Sequence, residues 1–201
     1  MNTFSLMLKK NEIQIKSGDQ KMENKKLKFG TFFWRVSSSH IISYFIMGII
    51  ASILLDYREA FENPPMSFFM KPTDSPLVAA GPVLQVIRGL IFAVVLWFFK
   101  ESILFRKYGW LKLWLMIIGL SILSTTGPAP GSIEGFIYTT IPVILQVSGY
   151  LEVIPQTLLF SLIVFYWYQK PKKLWNIISI LLVSLIVIMS ALGFLASMQK
   201  I

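Results

Sequence analysis

Long apolar runs alternate with short charged or turn-rich joints along this chain, and that alternation predicts an all-α membrane bundle. Six apolar blocks stand out, at about His40–Leu55, Pro76–Phe99, Tyr108–Thr126, Ile133–Tyr150, Ile154–Tyr168 and Leu174–Met198. Near-uncharged runs of about 20 residues are what a helix needs to cross roughly 30 Å of hydrocarbon. The stretch Phe29-Gly-Thr-Phe-Phe-Trp-Arg35 reads as an aromatic and basic interfacial lead-in to the first block. Asp74 and Ser75 are cap candidates for the second, with Pro76 suited to a first helical position. Gly127-Pro-Ala-Pro-Gly131 is a break that no continuous helix accommodates. The expected division is a basic cytoplasmic segment with its aromatic lead-in over 1–35, then one integral membrane helical domain over 36–201.

Charge decides how many blocks cross. Cytoplasmic loops carry the excess of Lys and Arg, so the basic N-terminus is placed inside. If Ile133–Tyr150 dips in and returns, fifteen Lys and Arg fall inside and three outside. If it crosses fully, the split is thirteen to five, with Lys170, Lys172 and Lys173 on the outer side. The expected fold is therefore a polytopic bundle of about five transmembrane helices plus one re-entrant or broken segment, with six full crossings as the alternative. Pro142 and Gly149 interrupt the segment in question. Non-helical backbone at membrane depth is tolerated only where protein or trapped water satisfies it.

Composition narrows the chemistry. The chain is 55% hydrophobic and 14% charged, against about a quarter charged for soluble domains. Its net charge of +9 is spread between spans rather than over one soluble face, so anionic phospholipid head groups at the cytoplasmic face fit better than nucleic acid. The absence of cysteine excludes disulfides, thiolate metal sites and cysteine nucleophiles, and one histidine per chain excludes a two-histidine zinc or haem set. No cofactor or metal is expected. No signal peptide is expected in the first thirty residues; Leu8–Leu27 is polar and lysine-rich, and Met22 offers an alternative start.

The most informative residue is Arg88, inside the second apolar run. Its guanidinium stays protonated, and a charge at a helix centre costs about 2.5–3.5 kcal/mol on insertion scales, so its default reading is functional. Helical spacing puts Gly81, Gln85, Arg88 and Gly89 on one face. The small residues there let another helix approach. Glu134, in Ser132-Ile-Glu134-Gly135, is expected in a first helical turn, where the helix dipole favours an acid. Glu152 and Gln156 stand one turn apart at the start of the fifth crossing. Arg88, Gln85, Glu134, Tyr138, Glu152 and Gln156 are the expected lining of a wet outer cavity. His40 is expected at the inner end of the first crossing, and Trp34, Trp97, Trp110 and Trp167 in an aromatic belt.

No reaction motif is present: neither a metalloprotease His pair, a Gly-x-Ser-x-Gly elbow, nor a phosphate loop. The sequence therefore leans against an enzyme. The leading expectation is a small bacterial-type, multi-pass protein of the plasma (inner) membrane, N-terminus cytoplasmic and C-terminus extracytoplasmic. It would bind or translocate a small anionic or zwitterionic solute at an outward-facing polar cavity around Arg88, as transporters use broken helices and fixed charges. Five crossings are few for a monomeric transporter, so a homodimer is expected. The alternatives are an accessory or assembly protein with Arg88 as a structural charge, and an enzyme acting on lipid or isoprenoid head groups.

Overall fold

A computed structural model describes residues 28–199, and the expectations for Leu8–Leu27 and for Met22 lie outside them. The described residues are helical and contain no strand. Four helices are long and apolar enough to cross a membrane, with Val143–Gln169 taken as one of the four. Element by element, α1 is Phe29–Leu54, α2 Tyr57–Glu62, α3 Pro76–Ala79, α4 Gly81–Leu104 and α5 Gly109–Ile118 with a π turn to Leu123. After the glycine-proline break come α6 (Ile133–Tyr138), α7 (Val143–Ser148), α8 (Tyr150–Gln169) and α9 (Lys173–Met198).

The apolar pattern faces outward, as in a protein whose solvent is lipid. Along α4, Ile87, Ile91, Val94 and Phe98 are exposed while Gly89, Ala93 and Leu96 are buried. Half of the best span window in α1 is buried, far more than in the others, because α1 is the central strut, packed on α4 and α8. Its Ser37, Ser38, Ser39 and Ser43 are small enough to let those helices close in. A Cβ added to Gly89 would lie 3.0 Å from Ser37 Cα.

Three sequence expectations are revised here. The aromatic stretch Phe29–Arg35 belongs to α1 rather than preceding it, which moves His40 from the inner end of the helix to its twelfth residue, within the buried core. Arg35 is likewise buried within the bundle rather than exposed. Its guanidinium lies 5.5 and 4.8 Å from the rings of Trp167 and Tyr168, and Nη1 donates to the Trp167 carbonyl at 3.5 Å. Trp167 is buried beneath it instead of joining a lipid-facing belt. Aromatic faces and a carbonyl offer the cation partial compensation in place of water.

Long-range contacts set the helix directions. The start of α1 meets the end of α4, with Phe29 and Trp97 edge-on at 4.9 Å, and the end of α8 through Arg35. Trp34 Nε1 donates to Ser179 Oγ at 3.1 Å, bringing the start of α9 to the same end. Gly109, opening α5, lies against Ile103 and Phe165 there as well. At the opposite end Ser190 Oγ donates to the Ala79 carbonyl at 2.7 Å. The helices α1, α4, α5, α8 and α9 therefore alternate in direction.

The second apolar block is split at Ala80, because Pro82 lacks the N–H that would continue α3 and its ring crowds the carbonyl four residues back. The Ile133–Tyr150 block is likewise not one helix. It is two six-residue helices, each about 9 Å long, separated by an extended Thr139–Pro142. Its two ends touch: Tyr150 OH donates to the Gly131 carbonyl, and Gly131 N–H donates to Gln146 Oε1 at 3.2 Å.

Candidate functional site

The polar centre of the bundle is assembled by α1, α4, α5 and α8. His40 on α1 faces Gln85 on α4, with 3.1 Å between His40 Nε2 and Gln85 Oε1. One turn further along α4, Arg88 reaches a cavity of about 60 Å³ that it lines with His40, Phe92, Gln156, Thr157 and Phe160. The guanidinium carbon stands 5.6 Å from the Phe92 ring centroid. The α5 wall is Ile117, Ser121 and Ile122, where the helix passes into its π turn. Such turns widen the backbone locally and recur at functional sites.

Satisfaction of hydrogen bonds shows what this cavity lacks. Thr157 Oγ1 is occupied by the Val153 carbonyl of its own helix at 2.8 Å. Gln156 is buried and lines the cavity. Arg88 makes no ion pair among them, where the one salt bridge is Arg58–Glu62 at 3.8 Å on the surface. No Asp or Glu lines the cavity. A fixed cation and a buried amide therefore share one small cavity.

The predicted lining residues divide among three places. Arg88 and Gln156 share the cavity, and Gln85 borders it through His40. Glu152 lies in a second, larger cavity of about 540 Å³ toward the α2 end, lined also by Tyr44, Gly48, Tyr57, Phe61 and Gly81. There it accepts a short hydrogen bond from Tyr57 OH. The two cavities are one α1 turn apart, with His40 in one, Tyr44 in the other, and their ring centroids separated by 6.3 Å. Glu134 and Tyr138 line neither; Glu134 occupies the first turn of α6 and Tyr138 is exposed.

Tyr57 ties the outer loop to α8. Burial, and then the Glu152 carboxylate, push its hydroxyl well above the ordinary tyrosine range, so it remains a donor throughout the physiological range. Tyr57→Phe should lower stability by about 1.5–3 kcal/mol, the worth of a hydrogen bond to a charged group. A thermal midpoint unchanged from wild type in detergent would refute that assignment.

The Gly127–Gly135 string has a structural explanation. Ser132 caps α6, accepting from Gly135 N–H at 2.9 Å and donating to the Ala129 carbonyl at 2.7 Å. Gly131 has φ +81, open to glycine without strain. A Cβ on Gly135 would come within 2.1 Å of the Ala129 oxygen. Gln146 and Tyr150 complete the knot from α7 and α8. Neither residue was singled out from sequence, nor was His40 as part of the cavity. The run Ser37-Ser38-Ser39 before His40 is the sequence signal that could have marked a tightly packed central helix.

Among the described residues no three of His, Asp and Glu converge to hold a metal ion. No protein-family model matches this chain, and the comparisons with curated proteins and with solved structures give no match either.

Proposed function

We propose that this is a five-crossing protein of the plasma membrane, N-terminus inside and C-terminus outside, that binds or moves a small anionic or zwitterionic solute at Arg88. The observation that carries this reading is that Arg88 and Gln156 share one cavity that no Asp or Glu lines, with no ion pair for Arg88 among the described residues. The space admits a carboxylate-sized group, and a larger solute would extend from it toward the open side of Arg88. Alternation of the five helices and the returning Ile133–Tyr150 segment support the crossing number. Anionic lipids at the inner face and assembly as a homodimer belong to the same reading.

The reading is tested by calorimetric titration of the detergent-purified protein with formate, glycine and anionic lipid. Binding that depends on Arg88 is expected for at least one of them; none at all would sink the idea. Topology has its own test, since the chain has no cysteine. A Lys172→Cys variant should react with a membrane-impermeant maleimide only after cells are permeabilised, whereas Asn63→Cys should react in intact cells. Labelling of Lys172→Cys from outside intact cells contradicts five crossings.

A second reading has an observation behind it. Arg88 is exposed, and so are Leu84, Ile87 and Ile91 on the same helix. A partner helix bringing a carboxylate would cover that edge and make Arg88 an assembly contact. Co-purification of a stoichiometric partner that is lost in Arg88→Ala, with no solute binding in either form, favours it.

A further inference from the structure

We propose that His40 is a proton site coupled to the anion site: a small monovalent anion is taken up at Arg88 and Gln156 together with one proton on His40. This rests on the anion reading above and adds a second ligand to it. His40 is the chain's single histidine, it is buried, and it lines the same small cavity as Arg88. Gln85 places its amide oxygen 3.1 Å from Nε2, and the tautomer with the hydrogen on Nε2 leaves Nδ1 as the basic nitrogen. The ring is otherwise held edge-on against Phe92 and Phe160, at 4.9 and 5.8 Å between centroids.

The groups facing His40 explain why the proton and the anion must come together. From α4 come Gln85 and the unpaired cation Arg88; from α1 comes Tyr44, one turn away. The α5 and α8 walls of the cavity contribute no titratable group, and α9 packs nearby through Ile186 and Val183. Glu152, one turn beyond Gln156 on α8, is engaged by Tyr57 in the other cavity. With the cavity empty, a proton on Nδ1 would place a buried imidazolium beside the Arg88 guanidinium, with no acid lining the cavity. An anion against Arg88 removes that repulsion and becomes the counter-ion of the imidazolium. The proton comes from water and no bond other than N–H is made. Linkage is reciprocal, so whatever the anion does for proton affinity, the proton does for anion affinity.

The experiment is calorimetric titration of the purified full-length protein with formate near pH 6, in two buffers of different ionisation enthalpy. Formate is fully ionised there, so the difference between buffers counts protons taken up by the protein. Up to about one proton per formate is expected in the histidine range, and formate affinity should fall by up to about tenfold per pH unit before levelling off at higher pH. His40→Gln, which keeps a donor toward Gln85, should still bind formate but with no proton uptake and no pH slope. Arg88-dependent formate binding with no proton uptake in the wild-type protein overturns the coupling and leaves the anion site standing. Equal uptake in wild type and His40→Gln overturns it as well. If wild type binds no formate at all while glycine or lipid binding depends on Arg88, the monovalent-anion coupling falls and the wider reading survives. The wild-type proton count decides the question even if His40→Gln does not fold.

Discussion

Arg88→Ala should weaken solute binding by at least about tenfold while leaving the bundle folded. A hydrogen bond to a charged group is worth about 1.5–3 kcal/mol, and each 1.4 kcal/mol is tenfold in affinity. The fold should survive because the guanidinium has no carboxylate partner among the described residues, only the Phe92 ring beside it, and its helix is held by Gly89 against Ser37. Removing a cation without a counter-ion should leave the thermal midpoint unchanged or raise it. Arg88→Lys keeps the charge and loses the planar fork, so it should bind with intermediate affinity. Calorimetry with formate or glycine on the three proteins, alongside thermal midpoints, distinguishes the outcomes. Equal binding by Arg88→Ala and wild type would refute the site. Loss of folding in Arg88→Ala that Lys restores would instead make Arg88 a structural charge.

Gly109→Ala should be among the most damaging single-methyl additions in the chain. A Cβ there would lie 1.6 Å from the Ile103 carbonyl oxygen, 2.7 Å from its carbon and 2.9 Å from Phe165 Cε2. Neither carbonyl atom is the far end of a flexible side chain, so the α4–α5 turn must open. That turn already holds Tyr108 at φ 61, a conformation unfavourable for a residue with a Cβ. Losses above about 4 kcal/mol are reserved for overpacking and strain of this kind. The measurable result is a collapse in the yield of monodisperse protein after detergent extraction. Gly119→Ala is the control, since nothing lies within 4 Å of the Cβ it would add, and its yield should match wild type. Normal yield and midpoint for Gly109→Ala would show that α4 and α5 do not meet at this turn.

Much of the fold was legible because lipid imposes simple rules on sequence. Hydrophobic length located the long helices, Pro142 and Gly149 marked the two joints on either side of α7, and Pro76 opened its helix as expected. The errors came where an amphipathic residue belongs to two environments. Phe29–Arg35 carries aromatic and basic residues, the signature of a membrane interface, yet it continues α1 because Arg35 finds ring faces and a carbonyl on α8. That one displacement moved His40 into the middle of the bundle. Of the six expected lining residues, Arg88 and Gln156 share a cavity while Glu134 and Tyr138 line neither polar cavity.

By itself, the sequence determined that the chain is helical with several spans fit for a membrane, that cysteine chemistry is absent, and that one arginine sits where a charge is costly. These follow from local composition and period, which need no knowledge of neighbours. Only the tertiary structure decided which carboxylates are spent and which polar groups are not. Glu152 is expected to line one cavity with Arg88, but Tyr57, 95 residues away in sequence, holds it in another. Pairing depends on which helix faces which, and that is set by small residues such as Ser37 and Gly89 meeting across the bundle, a property of the packing that no single helix records.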